Sequence, residues 1–127
     1  MMKTSVAVAE HMAENLPVPL RGPFSKTIQT AAEIGCDAVG IHVNRPLELD
    51  IEDLMNSLDK YKMKVSTIAT GGAYSIDNIS LSNKDERKRL QAVQRMKEHI
   101  DLAKKVGGAM IIIGVIKGLV SECDSKE

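Results

Sequence analysis

The groups of this sequence that could bind a polar ligand or move a proton fall at four places along it. They are Glu10 and His11, then His42, Asn44 and Arg45, then Thr70, Gly71, Gly72 and Tyr74, and finally Lys117 beside Gly118. Carboxylate, imidazole and amide groups exchange hydrogen bonds with hydroxyls, and Arg or Lys can hold an anionic end, so the set suits a sugar or a sugar phosphate. His42 is the catalytic candidate. It closes an apolar run, where a general base or a hydroxyl-binding group would stand; the plainer reading is a histidine hydrogen-bonded within a strand end. Glu10 and His11 are neighbours at a strand end, where adjacent side chains face opposite sides, so at most one is expected to point inward. Gly71 and Gly72 either let a ligand approach the backbone or turn the chain, the turn being the commoner use. Lys117 either holds a phosphate or carboxylate or is solvated. His99 falls off the apolar stripe of its helix and is expected at the surface. No metal-ligand set emerges, and no Gly-x-Gly-x-x-Gly or Gly-Lys-Ser/Thr fingerprint marks a nucleotide site.

These residues need strands to carry them. Val6 and Val8 alternate with small residues ahead of Glu10, which predicts a short first strand. Residues 15–23 hold three prolines and a glycine and read as a loop without regular structure. Ser25 is placed to cap a helix through Ile34 with Ile28, Ala31 and Ala32 inward, stopped by Gly35. A buried strand follows over 38–43. Asp50 and Asp53 open a second helix in an acidic capping box, with Ile51, Leu54, Met55, Leu58 and Tyr61 on one apolar face. Residues 64–70 are β-branched and form the third strand. The longest helix is predicted from Asn83 to Val106, capped by Asn83 and Glu86, with Leu90, Val93, Met96, Lys97, Ile100 and Ala103 buried. Residues 109–116 form a continuous apolar strand, the kind found with both faces covered. Met12, Met55, Met63, Met96 and Met110 read as core filler, and Cys36 as a small buried residue.

The order is β-α-β-α-β-α-β, an α/β pattern of parallel units. An internal repeat supports it: residues 31–41 align without gaps on residues 103–113, sharing the helix-ending glycine and the strand behind it. Residues 1–118 are expected as one domain, and 119–127 as a polar tail. Parallel barrels and doubly wound sheets place ligands at the carboxyl ends of their strands, which is where the four polar groups stand.

Composition narrows the partners. The 127 residues carry 17 Lys+Arg against 17 Asp+Glu, a net charge of zero, and only 2% are aromatic. Nucleic acid and anionic membrane surfaces need a basic surplus, and base stacking needs aromatics, so neither partner is expected. No apolar run is long enough to span a bilayer. Two distant cysteines, Cys36 and Cys123, fit a reducing, cytoplasmic setting better than a disulfide framework.

From Ser25 to Gly118 the chain resembles the sugar phosphate isomerase/epimerase superfamily, the xylose isomerase-like (β/α)8 barrels that include endonuclease IV. The resemblance rests on AAEIGCDAVGIHV, on YKMKVSTIATGGAY, and on RLQAVQRMKEHIDLAKKVGGAMIIIGVIKG with its trailing Gly-x-x-Lys-Gly. It implies half of a TIM barrel, since a complete one needs roughly 250 residues. It also implies a divalent metal held by Glu, Asp and His from strands five to eight, which have no counterpart here, so no cofactor is expected in this chain. Endonuclease-like members add histidines at the ends of strands three and four. Here those ends read Thr70-Gly71-Gly72 and Gly114-Val115.

The expectation is therefore the amino-terminal half of a sugar isomerase/epimerase-like barrel, contributing substrate-mouth residues and inactive or nearly so alone. One rival is a half-barrel that self-associates, or pairs with a complementary half, as a sugar-binding or interaction module. Another is an interrupted gene product.

Overall fold

A computed structural model describes residues 2–11 and 17–122. Met12, residues 15 and 16 of the proline-rich loop, and residues 123–127 of the polar tail lie outside the described residues. Five strands form one parallel sheet: β1 (Ser5–Ala9), β2 (Leu20–Arg21), β3 (Ala38–His42), β4 (Lys64–Ala69) and β5 (Met110–Ile112), in the order β2-β1-β3-β4-β5. Helices α1 (Phe24–Glu33), α2 (Ile51–Lys60) and α3 (Glu86–Lys105) are the crossovers. The fold is α/β, a partial TIM barrel.

Alternation along the strands separates two faces. Val8, Val39, Ile41, Val65 and Ile68 point to the helices and join Phe24, Ile28, Ala31, Leu54, Leu58, Leu102 and Ala103 in the core. Phe24 is the sole phenylalanine and is fully buried, which contributes about 2–3 kcal/mol. The other face carries small or polar residues, among them Ser5, Ala7, Gly40 and Ala69. Ser66 is the extra residue where the β3–β4 register shifts between Val39 and Gly40. Its hydroxyl lies 2.8 Å from that of Ser5 and donates to the Val39 carbonyl at 3.2 Å.

Several sequence expectations need correction. Ser25 does not cap α1. That helix starts at Phe24 behind Pro23, and the Ser25 amide donates instead to the Asp53 carboxylate of α2 at 3.1 Å. Asp50 does cap α2, accepting from the Asp53 amide at 3.0 Å. The proline-rich loop is not wholly irregular, because Leu20 and Arg21 lie between prolines and keep their N–H groups. They pair with Val8 and Ala9, and the Gly22 amide donates to the Ala9 carbonyl at 3.0 Å.

Helix α3 begins at Glu86 under an Asp85 cap, while Asn83 accepts from the Asp85 amide. Its inward face is Ala92, His99, Leu102 and Ala103, leaving Leu90 61% exposed and Val93 and Ile100 exposed as well. The predicted fourth strand shrinks to three residues. Met110, Ile112 and Ile113 are exposed, so among the described residues the second face of this strand is not covered. Gly114 then leaves the extended region and a 3-10 turn follows over Val115–Lys117. Of the methionines read as filler, Met63 is buried and Met96 partly so, while Met55 and Met110 are exposed. Cys36 is partly buried against the core. No helix among the described residues is long and apolar enough to cross a membrane.

Candidate functional site

His42 ends β3 on the small-residue face. Its β4 partner is Ala69, and the β1 register (Val8 opposite Ile41) puts Ala9 next on the other side. The imidazole borders two cavities, one of them shared with Ala69. One cavity of about 250 Å³ is lined by His11, His42, Asn44, Arg45, Glu48 and Ile76. A second, of about 220 Å³, is lined by His42, Ala69, Thr70, Gly71, Ile112 and Gly114. His42 is shared by both. Burial disfavours its charged form and lowers its pKa below the ordinary 6.5. At neutral pH the ring is therefore uncharged, with one nitrogen to donate and one to accept.

Glu10 and His11 lie beyond the end of β1 in a bend, where strand alternation no longer applies. The Glu10 Oε1 and His11 Nε2 are 2.8 Å apart, with the imidazole exposed and the carboxylate side chain 10% exposed. Glu10 Oε2 is buried and has no hydrogen-bond partner. Thr70 is buried, its hydroxyl 3.5 Å from the Gly114 amide. Gly71 has φ +62° and packs against the Val43–Asn44 backbone. Gly72 is buried, and a Cβ there would collide with the Ile76 side chain. Tyr74 is partly buried in the same turn, its carbonyl accepting from the Asn78 amide. Lys117 is exposed on the 3-10 turn and is not among the residues lining either cavity.

Arg45 is held within a cluster of charges. Its Nη2 lies 2.6 Å from Asp77 Oδ1 and its Nη1 3.2 Å from Glu48. Arg95 reaches the other Asp77 oxygen at 2.8 Å, donates to the Asn44 carbonyl at 2.8 Å and lies 3.6 Å from Glu98. The Asn44 side-chain amide also donates to Asp77, at 3.3 Å. Asp77 thus ties the loop after β3 to the loop after β4 and to α3. The sequence reading missed Asp77, Arg95 and Glu98; the spacing of Arg95 four residues before His99 was the available signal.

Hydrogen bonds from Arg45 above all, and from Arg95, hold the Asp77 carboxyl down to about 2 from its ordinary 3.8. A depressed folded pKa contributes stability that is present above about pH 4 and lost as pH falls through 2. Urea denaturation between pH 5 and 2 is expected to show the native chain losing about 1–2 kcal/mol more than Asp77→Asn, after allowance for screening of the exposed Arg45 side.

His99 is the largest departure from the sequence reading. It is fully buried, with Nε2 2.8 Å from the Val43 carbonyl and Nδ1 2.8 Å from the Arg95 carbonyl. Both ring nitrogens thus face carbonyl oxygens, which only accept, and the Nε2 contact joins α3 to the loop after β3. Through this bond α3 fixes the backbone that carries His42, Asn44 and Arg45.

Among the described residues, no three His, Cys, Asp or Glu side chains converge as a metal site. They do not fit the divalent metal that the sequence resemblance implies for complete barrels. What this chain's residues can do is bind hydroxyls and hold or accept a proton at His42.

The family model of the xylose isomerase-like TIM barrel matches residues 28–127. No curated protein matches the chain. Among solved structures, an apo 3-keto-D-glucoside 4-epimerase from E. coli is similar, with a TM-score of 0.63 and 20% identity over 87% of this chain. An AP endonuclease of family 2 from Brucella melitensis is similar with a TM-score of 0.55 and 15% identity over 83% of this chain. The chain spans 37% and 38% of the lengths of these two structures. At such identities the likeness is one of fold.

Proposed function

This chain belongs to the xylose isomerase-like TIM barrel family, and we propose on that premise that it supplies part of the substrate mouth of a sugar isomerase/epimerase-type barrel. The observation that carries the reading is His42, uncharged and flanked by two cavities at the carboxyl end of a parallel sheet. That is where barrels of this kind hold their ligands. In this reading His42 accepts or relays a hydroxyl proton. Asn44, Thr70 and the backbone at Gly71 and Gly72 offer hydrogen bonds around it, and Tyr74 borders the turn. The chain's own residues bind and orient, and turnover by this chain alone is not expected. The wide spacing of Cys36 and Cys123 supports a reducing, cytoplasmic setting.

Titration of the purified protein with free sugars, followed by the ring protons of His42, tests the proposal. His42→Asn is expected to weaken saturable binding about tenfold, the loss of one well-placed hydrogen bond. Undiminished binding by His42→Asn would remove His42 from the site. Isomerase turnover with stoichiometric metal would overturn the assignment of a binding role alone.

A second reading is supported by β5, whose Met110 and Ile112 are exposed, with exposed Ile113 just after it, beside a strand edge that is unpaired among the described residues. We propose that this edge pairs with a second copy or with complementary βα units. Sedimentation showing a monodisperse monomer at all concentrations would count against it.

A further inference from the structure

We propose that a groove at the amino-terminal end of the sheet docks an acidic segment of another protein, with one large apolar side chain on the groove floor and carboxylates on the lysines beside it. The groove lies at the opposite pole from His42 and is independent of the sugar reading.

All three α-helices among the described residues end in the same capping motif. The amide two residues past each C-cap donates to the carbonyl five residues back: Cys36 to Ala31, Met63 to Leu58 and Gly108 to Ala103, at 3.0, 3.0 and 2.8 Å. The residue before that amide takes the left-handed conformation the motif requires. It is Gly35 at φ +87° after α1 and Gly107 at φ +99° after α3, but Lys62 at φ +54° after α2. Glycine adopts that conformation freely, whereas a side chain is strained in it. Strain of this kind collects where a ligand is held, which directs attention to what Lys62 borders.

Lys62 lines a groove of about 430 Å³ between the carboxyl-terminal ends of α2 and α3. Its floor is apolar, formed by Met55, Leu58, Met63 and Val106, with Met55 39% exposed. Methionines give such a floor the adaptability that suits a partner's side chain. The surroundings are cationic. Lys62 and Lys64 line the groove, Lys60 precedes them on the chain, and Lys104 and Lys105 precede Val106 on the α3 side, all five exposed. Against them stand Asp59 in the lining and Asp101 one turn back on α3. The Asp59–Lys62 pair is 4.0 Å apart with side chains 89% and 86% exposed, so water leaves it little strength. Lys60, over the Tyr61 ring, and Lys104 and Lys105 stand in the last turns of their helices, where cations complement the dipole. Lys62 and Lys64 lie beyond both helices, and no dipole accounts for them. Cations on either side of an apolar floor call for more than one negative charge around an apolar group. An acidic peptide segment has that pattern. A single-headed carboxylate reaches one side only, and a flat anionic bilayer does not seat in a groove.

The test is fluorescence anisotropy of the native chain with a labelled, end-blocked peptide, Glu-Asp-Leu-Leu-Asp-Glu. Two relatives accompany it, one with serine for both leucines and one with amides for the four acids. The acidic leucine peptide is expected to bind about tenfold more tightly than either relative, and less tightly as salt rises. Lys62→Gly separates binding from folding, because glycine suits φ +54°. Its melting temperature is expected to hold or rise while affinity for the peptide falls about threefold, and Lys62→Gly with Lys64→Gln to lose about tenfold. Lys88→Gln, at the other end of α3, is expected to change nothing. Unchanged affinity in both groove variants, or equal affinity for all three peptides, would overturn the proposal. So would the absence of saturable binding by any peptide. Binding to phosphatidylserine vesicles but to none of the peptides would overturn it as well, and make the lysines a lipid contact.

Discussion

His99→Ala is expected to destabilise the chain by about 3 kcal/mol or more, with the melting temperature roughly 10 °C lower. Two losses combine. The ring is fully buried, so its removal leaves a cavity that α3 and the sheet close only in part. The Val43 carbonyl also loses the ring nitrogen 2.8 Å away, and a buried carbonyl without a partner costs about 1–3 kcal/mol by itself. His99→Gln, whose amide can still donate toward Val43, is expected to recover part of the loss. Lys97→Ala is the control. The longest apolar stripe in the sequence places Lys97 inside and His99 outside, whereas the structure exposes Lys97, so this change is expected to stay within about 0.5 kcal/mol. Thermal melts of the three variants decide which face of α3 is buried.

That contrast shows what could be read from the residues and what could not. The order of strands and helices was legible, because glycine stops, β-branched runs and the Asp50 cap are local signals. The rotation of α3 was not. Leu90, Val93 and Ile100 outweigh their rivals in hydrophobicity, yet the core selects Ala92, His99, Leu102 and Ala103, which are equally well spaced for a helix. A small residue against the sheet and a histidine satisfied by a carbonyl bury as well as leucines do, but only the tertiary partner reveals it. The candidate site divides similarly. His42 could be located from the strand that ends on it, and the small Ala69 opposite it lines one of its two cavities. The state of Arg45 could not be read, because its partner Asp77 is 32 residues away on another loop. A guanidinium that looks available in sequence is neutralised in space. The same long-range pairing turns an expected anion anchor into a brace for the mouth.

The brace has a second point of contact, and Gly71→Ala is expected to break it. Gly71 stands at φ +62°, and a Cβ there would lie 2.9 Å from the Asn44 amide nitrogen and 3.0 Å from the Val43 carbonyl carbon and oxygen. Those atoms are backbone, so no rotamer change makes room; the loop after β4 must move away from the loop after β3. The left-handed conformation alone costs an alanine about 1–2 kcal/mol. Gly107 provides the measure of that part, because at φ +99° it has nothing within 4 Å of the added carbon. Gly107→Ala is therefore expected to cost about 1–2 kcal/mol, and Gly71→Ala about 3 kcal/mol or more, the excess being the steric contact. The displacement also acts on function. The Val43 carbonyl meets His99 Nε2 and Asn44 accepts from Arg95, so the backbone that Gly71 touches is the one that sets His42 between its cavities. Gly71→Ala is accordingly expected to weaken ligand binding about tenfold at a temperature where it is still folded, while Gly107→Ala, at the opposite end of the sheet, leaves it unchanged. Equal stability losses for the two variants would mean that the loops can part freely, and that the close packing of Gly71 does not position His42.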